Sequence, residues 1–282
     1  MMYPAVKLKI VLIILFLILS GCTNNPFFGG DDYPANRLAI KGNVQLQNAS
    51  DNSGIYIWLE GVNAFTYTDS SGNFKLQLPS PESLPGGANA YSGIFRLYYF
   101  MSNYRFDSLS VILRSGEVEF GEKAIDANGN VIDKVVLPKL LSITTSISPN
   151  IVNVDEYPPD FDVTINIEPT AYGADVEAYF TNDNTIGAFI FARRDSIRLS
   201  YPFILPTSTP KEQFLNFPVS ATNTISVHLP PGEYEIVPFL RIKQQGIPDD
   251  LVTSISEFAY TMTHQYLYVP IKINAQKLFV IK

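Results

Sequence analysis

Ile55-Tyr56-Ile57-Trp58-Leu59-Glu60 and, after a turn cluster, Phe74-Lys75-Leu76-Gln77-Leu78 decide the fold class. In both stretches every second residue is aliphatic or aromatic, which is the period of a strand with one face turned to a core and not the period of a helix. Ala39-Ile40-Lys41-Gly42-Asn43-Val44-Gln45-Leu46 alternates in the same way, and Gly54, Gly61 and Gly72 punctuate the runs. Further strands are expected over 94–101, 108–113, 117–125 and 131–137, the last two joined through Asp126-Ala127-Asn128-Gly129-Asn130, whose Asn-Gly pair favours a tight hairpin. About seven strands in roughly 100 residues is the size of one sandwich domain.

Outward from this core the pattern persists. Ser148-Pro149-Asn150 and Asp155-Glu156-Tyr157-Pro158-Pro159-Asp160 mark a change of module, and the boundary is placed at 140/141. Beyond it Phe161, Val163, Ile165 and Ile167 alternate with Asp162, Thr164, Asn166 and Glu168. Strands are expected over 176–181, 186–192, 196–201, 224–229, 234–242, 251–258, 267–273 and 278–281. Residues 202–223 hold four prolines and read as a long surface loop, the kind of segment in which function concentrates. The fold class is therefore all-β, with two β-sandwich domains over 38–140 and 141–282; in the second, the two strands expected around Pro230-Pro231-Gly232 are a feature common in immunoglobulin-like and transthyretin-like sandwiches, and no family is named for it.

Three segments of the first domain carry a family likeness: Ile40-x-Gly42-x-Val44; Gly54-Ile55-x-Ile57-x-Leu59-x-Gly61; and Thr68-Asp69-Ser70-Ser71-Gly72-Asn73-Phe74-Lys75-Leu76-x-Leu78-Pro79. Together they resemble the carboxypeptidase regulatory-like domain, a transthyretin-like β-sandwich. Gly93-Ile94-Phe95-Arg96-Leu97-Tyr98-Tyr99 and Asn103-Tyr104 fit that family's next strand and turn. The loop over 80–92 is longer than usual there, and Asn103 stands where Gly is commoner. The resemblance implies an accessory or linking module without catalysis of its own. It also makes Gly72 a required positive-φ turn residue, whereas Gly86 in the loop is expected to tolerate replacement.

At the start of the chain Lys7 and Lys9 precede the apolar run Ile10 to Leu19, followed by Ser20-Gly21-Cys22. A run of that length is a secretory signal and too short for a comfortable membrane span. Leu19-Ser20-Gly21-Cys22 resembles the bacterial lipobox, which implies a signal peptide over 1–21, lipidation of Cys22, and a tether over 22–37 rich in Asn, Gly, Asp and Pro. Cys22 is the chain's only cysteine, so no intramolecular disulfide exists. Loss of residues 1–21 leaves 18 basic against 27 acidic residues, a net −9. Such a body lacks the basic surface a nucleic acid needs and is repelled by anionic head groups, so membrane attachment falls to the acyl chains. Thr23, in place of Asp, after the cysteine favours the outer membrane by resemblance to enterobacterial sorting.

Catalytic material is sparse. His228 and His264 are the only histidines, and neither His228-Leu229-Pro230-Pro231 nor His264-Gln265-Tyr266-Leu267 has the spacing of a zinc peptidase. Asp69 to Asn73 and Asp126 to Asn130 put oxygens on turns but lack the remote Glu of a calcium loop; Asp, Asn and Gly are also what tight turns require. No cofactor or metal is expected. Tyr56 and Trp58 share the face opposite Ile55, Ile57 and Leu59. Exposed, they form a contact surface for an envelope protein or a glycan; burial against the second domain is the alternative. The sequence thus points to a non-enzymatic, lipid-anchored envelope protein acting by binding or assembly. Its rival is a glycan or peptidoglycan hydrolase using loop carboxylates such as Glu212; Glu117 and Glu119, at i and i+2 on one strand face, are neighbouring carboxylates that read as a charged outward face blunting edge pairing.

Overall fold

The computed structural model describes residues 37–119, 124–153, 160–193 and 195–281. Residues 1–36, on which the expected signal peptide, lipidation at Cys22 and most of the expected tether fall, lie outside them. Arg37–Lys282 forms one compact unit.

The protein is all-β. Its first half contains β1 (Ala39–Leu46), β2 (Tyr56–Leu59), β3 (Ala64–Tyr67), β4 (Asn73–Gln77), β5 (Gly93–Phe100), β6 (Asp107–Arg114), β7 (Glu117–Val118) and β8 (Val135–Leu137). They form two sheets, β4-β1-β8 and β3-β2-β5-β6-β7. Ile40, Val44, Ile55, Ile57, Leu59, Phe74, Leu76, Leu97, Val111 and Leu137 close a core between them, so the aliphatic face of β2 points inward. β1 runs antiparallel to β4 but parallel to β8, a pairing across some ninety residues of chain.

The second half contains β9 (Leu141–Ser148), β10 (Ile151–Asn153), β11 (Asp160–Pro169), β12 (Ala174–Phe180), β13 (Ala188–Arg193), β14 (Tyr201–Ile204), β15 (Thr209–Leu215), β16 (Val219–Ser226), β17 (Gly232–Pro238) and β18 (Leu240–Lys243). It ends with helix α1 (Asp249–Ile255), β19 (Asn274–Ala275) and β20 (Lys277–Ile281). Sheets β16-β11-β9-β19, β15-β12-β18 and β10-β20-β17-β13-β14 enclose a second core that begins at Leu140 and ends at Val280.

Several segments depart from the sequence expectation. Residues 202–223 are not a loop: β14, β15 and the start of β16 lie there. Pro202 and Pro210 sit on β14 and β15, which are edge strands, and an edge tolerates a missing N–H. Residues 251–258 are not a strand. Pro248-Asp249-Asp250 opens a helix, with two carboxylates in the first turn where the helix dipole favours them, and this outweighs the strand preference of Val252, Thr253 and Ile255. Ile197–Leu199 is a 3₁₀ turn within the strand expected over 196–201, and the strand expected over 267–273 is not formed, Leu267 and Tyr268 ending the 3₁₀ turn His264–Tyr268. The strand expected over 234–242 divides at Phe239 into β17, paired with β13, and β18, paired with β12. β3 and β9 were not anticipated.

Candidate functional site

The sequence singles out Tyr56 and Trp58, and β2 does present them on the face opposite its core residues. That face is covered. Tyr56 is 0% and Trp58 3% exposed, in a cluster with Tyr98, Phe100 and Leu251, against which Phe106, Ile247 and Ile255 pack. An exposed contact surface at this pair is therefore corrected: α1 of the second half lies on it. The helix offers Leu251 and Ile255 at i and i+4, one face of a helix, which suits a flat aromatic sheet surface. The Tyr56 hydroxyl is 3.0 Å from the Ser254 hydroxyl, and burial pushes the phenol up to about 12. Around it the Phe65 and Tyr67 rings stand 5.5 and 5.3 Å from the Tyr56 ring, and Tyr98 lies 5.7 Å from Trp58. The Trp58 indole N–H is buried without an acceptor. An unpaired donor costs about 1–3 kcal/mol, so the ring is held here by its apolar area.

A second contact, polar in character, joins the halves. Asn103 is 1% exposed; its side-chain amide donates to the Leu141 carbonyl at 3.0 Å and the Lys272 carbonyl at 2.9 Å, while its Oδ1 accepts from the Lys272 N–H at 2.9 Å. Ser102 N–H donates to the Pro270 carbonyl at 2.7 Å, and Gln244 caps Phe106 N–H at 3.0 Å and the Tyr104 carbonyl at 2.9 Å. A glycine at 103 has no side chain with which to make those three bonds. Asn103 is thus one of the residues that fasten the first half to the second, and no periodicity in the sequence signals it.

Lys272 also binds Asp51, with Nζ 2.5 Å from Oδ2. This bond and those from the Ser53 N–H and hydroxyl hold the Asp51 carboxyl down at about 2, against an ordinary 3.8. A carboxyl depressed by folding stabilises the fold above its unfolded value, and that contribution is lost as pH falls from about 3.8 towards 2. Asp51→Asn is expected to reduce the acid dependence of unfolding in that window and leave the slope above pH 5 unchanged, as read by denaturant titrations at stepped pH.

The remaining sequence candidates are engaged in local structure. Asp69 Oδ1 accepts from the N–H groups of Ser71 and Asn73, both at 2.9 Å; Asp126 Oδ1 accepts from those of Asn128 and Asn130, both at 2.8 Å. Gly72 and Gly129 follow with φ of +83° and +80°. The two segments are the same five-residue turn used twice beside β1, with Asn73 opposite Asn43 and Asn130 bridged to Lys41. The hydrogen bonds to Asn73 and Asn130 hold both carboxyls below the usual range. Glu119 is paired with Arg114 at 2.9 Å. Glu212 is on β15, not in a loop, and is paired with Lys243. His228 is exposed and His264 opens a 3₁₀ turn. Among the described residues no group of three or more His, Cys, Asp and Glu is placed to hold a metal.

These sheets define the chain as an all-β sandwich protein. No family model matches it. No curated protein matches it either. Among solved structures it is similar to a variant of BcpA, the major pilin subunit of Bacillus cereus, at 11% identity and a TM-score of 0.26, over 73% of this chain and 66% of that one. It is similar in the same degree to the shaft pilin spaA of Lactobacillus rhamnosus GG, at 11% identity and a TM-score of 0.26, over 75% of this chain and 88% of that one. The chain spans less than two thirds of the Bacillus cereus pilin, 66% and 63% in two structures. Likeness at this level carries no functional argument.

Proposed function

We propose that the protein is a lipid-anchored component of the cell envelope, held at the outer membrane through Cys22, whose body works by contact and assembly and not by catalysis. The observation that supports the second part is that five acidic residues, among them the loop and turn carboxylates the sequence singles out, are engaged in local structure. Asp69 and Asp126 are spent on their own turns, while Asp51, Glu119 and Glu212 are held by cations. A glycosidase needs one carboxyl free to give a proton and another free to attack or to activate water. In this reading the first half is a linking module of the kind its resemblance implies, and the aromatic and amide contacts weld it to the second half so that the two act as one rigid body.

The anchor is argued from Leu19 to Cys22 and from the apolar run before it. Acyl chains contribute about 0.8 kcal/mol per buried methylene, so a multiply acylated cysteine suffices as an anchor. Among the described residues no helix is long and apolar enough to cross a membrane. Cys22→Ser is expected to abolish incorporation of labelled palmitate and to move the protein out of the alkali-washed membrane fraction. Alkali-resistant attachment of the unlabelled variant would refute the anchor.

A further inference from the structure

With Tyr56 and Trp58 covered, partly exposed aromatic side chains line a recess elsewhere, beside the outer face of the sheet β15-β12-β18. Alternation along β12 sends Val176, Ala178 and Phe180 into the core and leaves Glu177 and Tyr179 outside. The register sets Glu177 between Glu212 of β15 and Arg241 of β18. Phe239, at the break between β17 and β18, comes beside Tyr179 with ring centroids 6.2 Å apart. The segment following α1 closes the other side with Tyr260 and Met262, leaving a recess of about 290 Å³. The Arg241 guanidinium lies over the Tyr260 ring, 4.9 Å from its centroid.

We propose that this recess binds one neutral hexopyranose unit of a glycan. Its size is at the lower end of ligand pockets, which run from about 300 to 1,000 Å³, and suits one sugar ring better than a nucleotide or an oligomer held end to end. Three of its lining residues, Tyr179, Phe239 and Tyr260, are aromatic, and the C–H face of a pyranose carries the slight positive charge that the negative face of a π system attracts. Its polar lining supplies both donors and acceptors, Arg241 donating, Glu177 accepting and Thr261 able to do either, as hydroxyl groups require. The rim charges cancel, for Arg241 and Lys243 each lie 3.9 Å from Glu177, and Lys243 is also paired with Glu212. An anionic ligand would have to displace a carboxylate from those cations, whereas a neutral polyol bridges them. The inference goes beyond the contact reading above by naming a ligand class and a place, and it is independent of the anchor.

The test uses the full-length protein in a detergent without a sugar head group. Methyl glucoside, methyl galactoside, methyl mannoside and N-acetylglucosamine are titrated separately, read by saturation-transfer NMR. At least one is expected to bind saturably with a dissociation constant of roughly millimolar, as is normal for a single small ring. Tyr260→Ala is expected to weaken it tenfold or more, and Tyr260→Phe to restore it to within threefold, since stacking needs the ring and not the hydroxyl. Glu177→Gln, an exposed change that leaves the core untouched, is expected to weaken it several-fold and serves as the arbiter if Tyr260→Ala does not fold. Saturable binding of none of the four sugars, binding indifferent to both Tyr260→Ala and Glu177→Gln, or tighter binding of indole than of any sugar would each overturn the proposal. The last result would mark a socket for a protein side chain.

Discussion

Gly72→Val is expected to destabilise the protein by about 4 kcal/mol, or to leave no soluble product, in denaturant unfolding monitored by tryptophan fluorescence. Gly72 has a φ of +83°, and a Cβ built there would lie 2.1 Å from the Val44 carbonyl oxygen. Backbone, and not a movable side chain, occupies the space, while the Gly72 carbonyl accepts the Val44 N–H at 2.8 Å. The turn and β1 cannot part without losing that bond and the β1–β4 register behind it. Gly86→Ala is the control. Its φ is also positive, +82°, which corrects the expectation that it is freely replaceable; its Cβ would meet only the Ala90 Cβ at 3.5 Å, an ordinary contact. A cost of about 1 kcal/mol is expected there, from the left-handed backbone alone. Equal costs at the two glycines would remove the turn from its central role.

The double change Tyr56→Ala with Trp58→Ala is expected to cost about 5 kcal/mol and to strip hydrogen-exchange protection from residues 249–255. Truncating a buried large aromatic costs about 3–5 kcal/mol, and neighbours that share partners do not add fully. An exposed pair, as the first reading allowed, could be removed without unfolding anything. The structure gives the pair an internal role: Leu251 is fully buried against it and Ser254 meets its hydroxyl. Unchanged unfolding together with intact protection of the helix would show that α1 holds its place without these rings.

β1, β2 and β4 of the first half were legible because each shows one aliphatic face, and β1 begins and ends where Ala39 to Leu46 stops alternating; β3, in which only Ala64 is buried, carries no such signal. The aliphatic face of β2 could be assigned inward, but the covering of its other face could not, since the cover is supplied by seven residues some two hundred positions later. Those residues read as a strand from Val252, Thr253 and Ile255, although Pro248-Asp249-Asp250 held the opposing signal. Residues 202–223 were misread for a related reason: proline forbids a central strand and permits an edge, and edge position is a property of the assembled sheet. The clamp at Asn103 and the recess at Tyr179, Phe239 and Tyr260 depend on register between distant strands, which local periodicity does not encode.

The dependence of the β2–β5 face on α1 bears on how the chain reaches its folded state when it is delivered N-terminus first. Residues up to Leu137 contain everything needed to close the first core. At that moment Tyr56, Trp58, Tyr98 and Phe100 form a flat aromatic sheet surface, and their cover at Leu251 is still more than a hundred residues from arrival. Until it arrives the nascent protein presents a sticky face with nothing of its own to shield it, the condition in which partly folded chains associate with one another. The period of greatest hazard for this molecule therefore comes after its first half has folded correctly, and its length is set by the time taken to deliver the second.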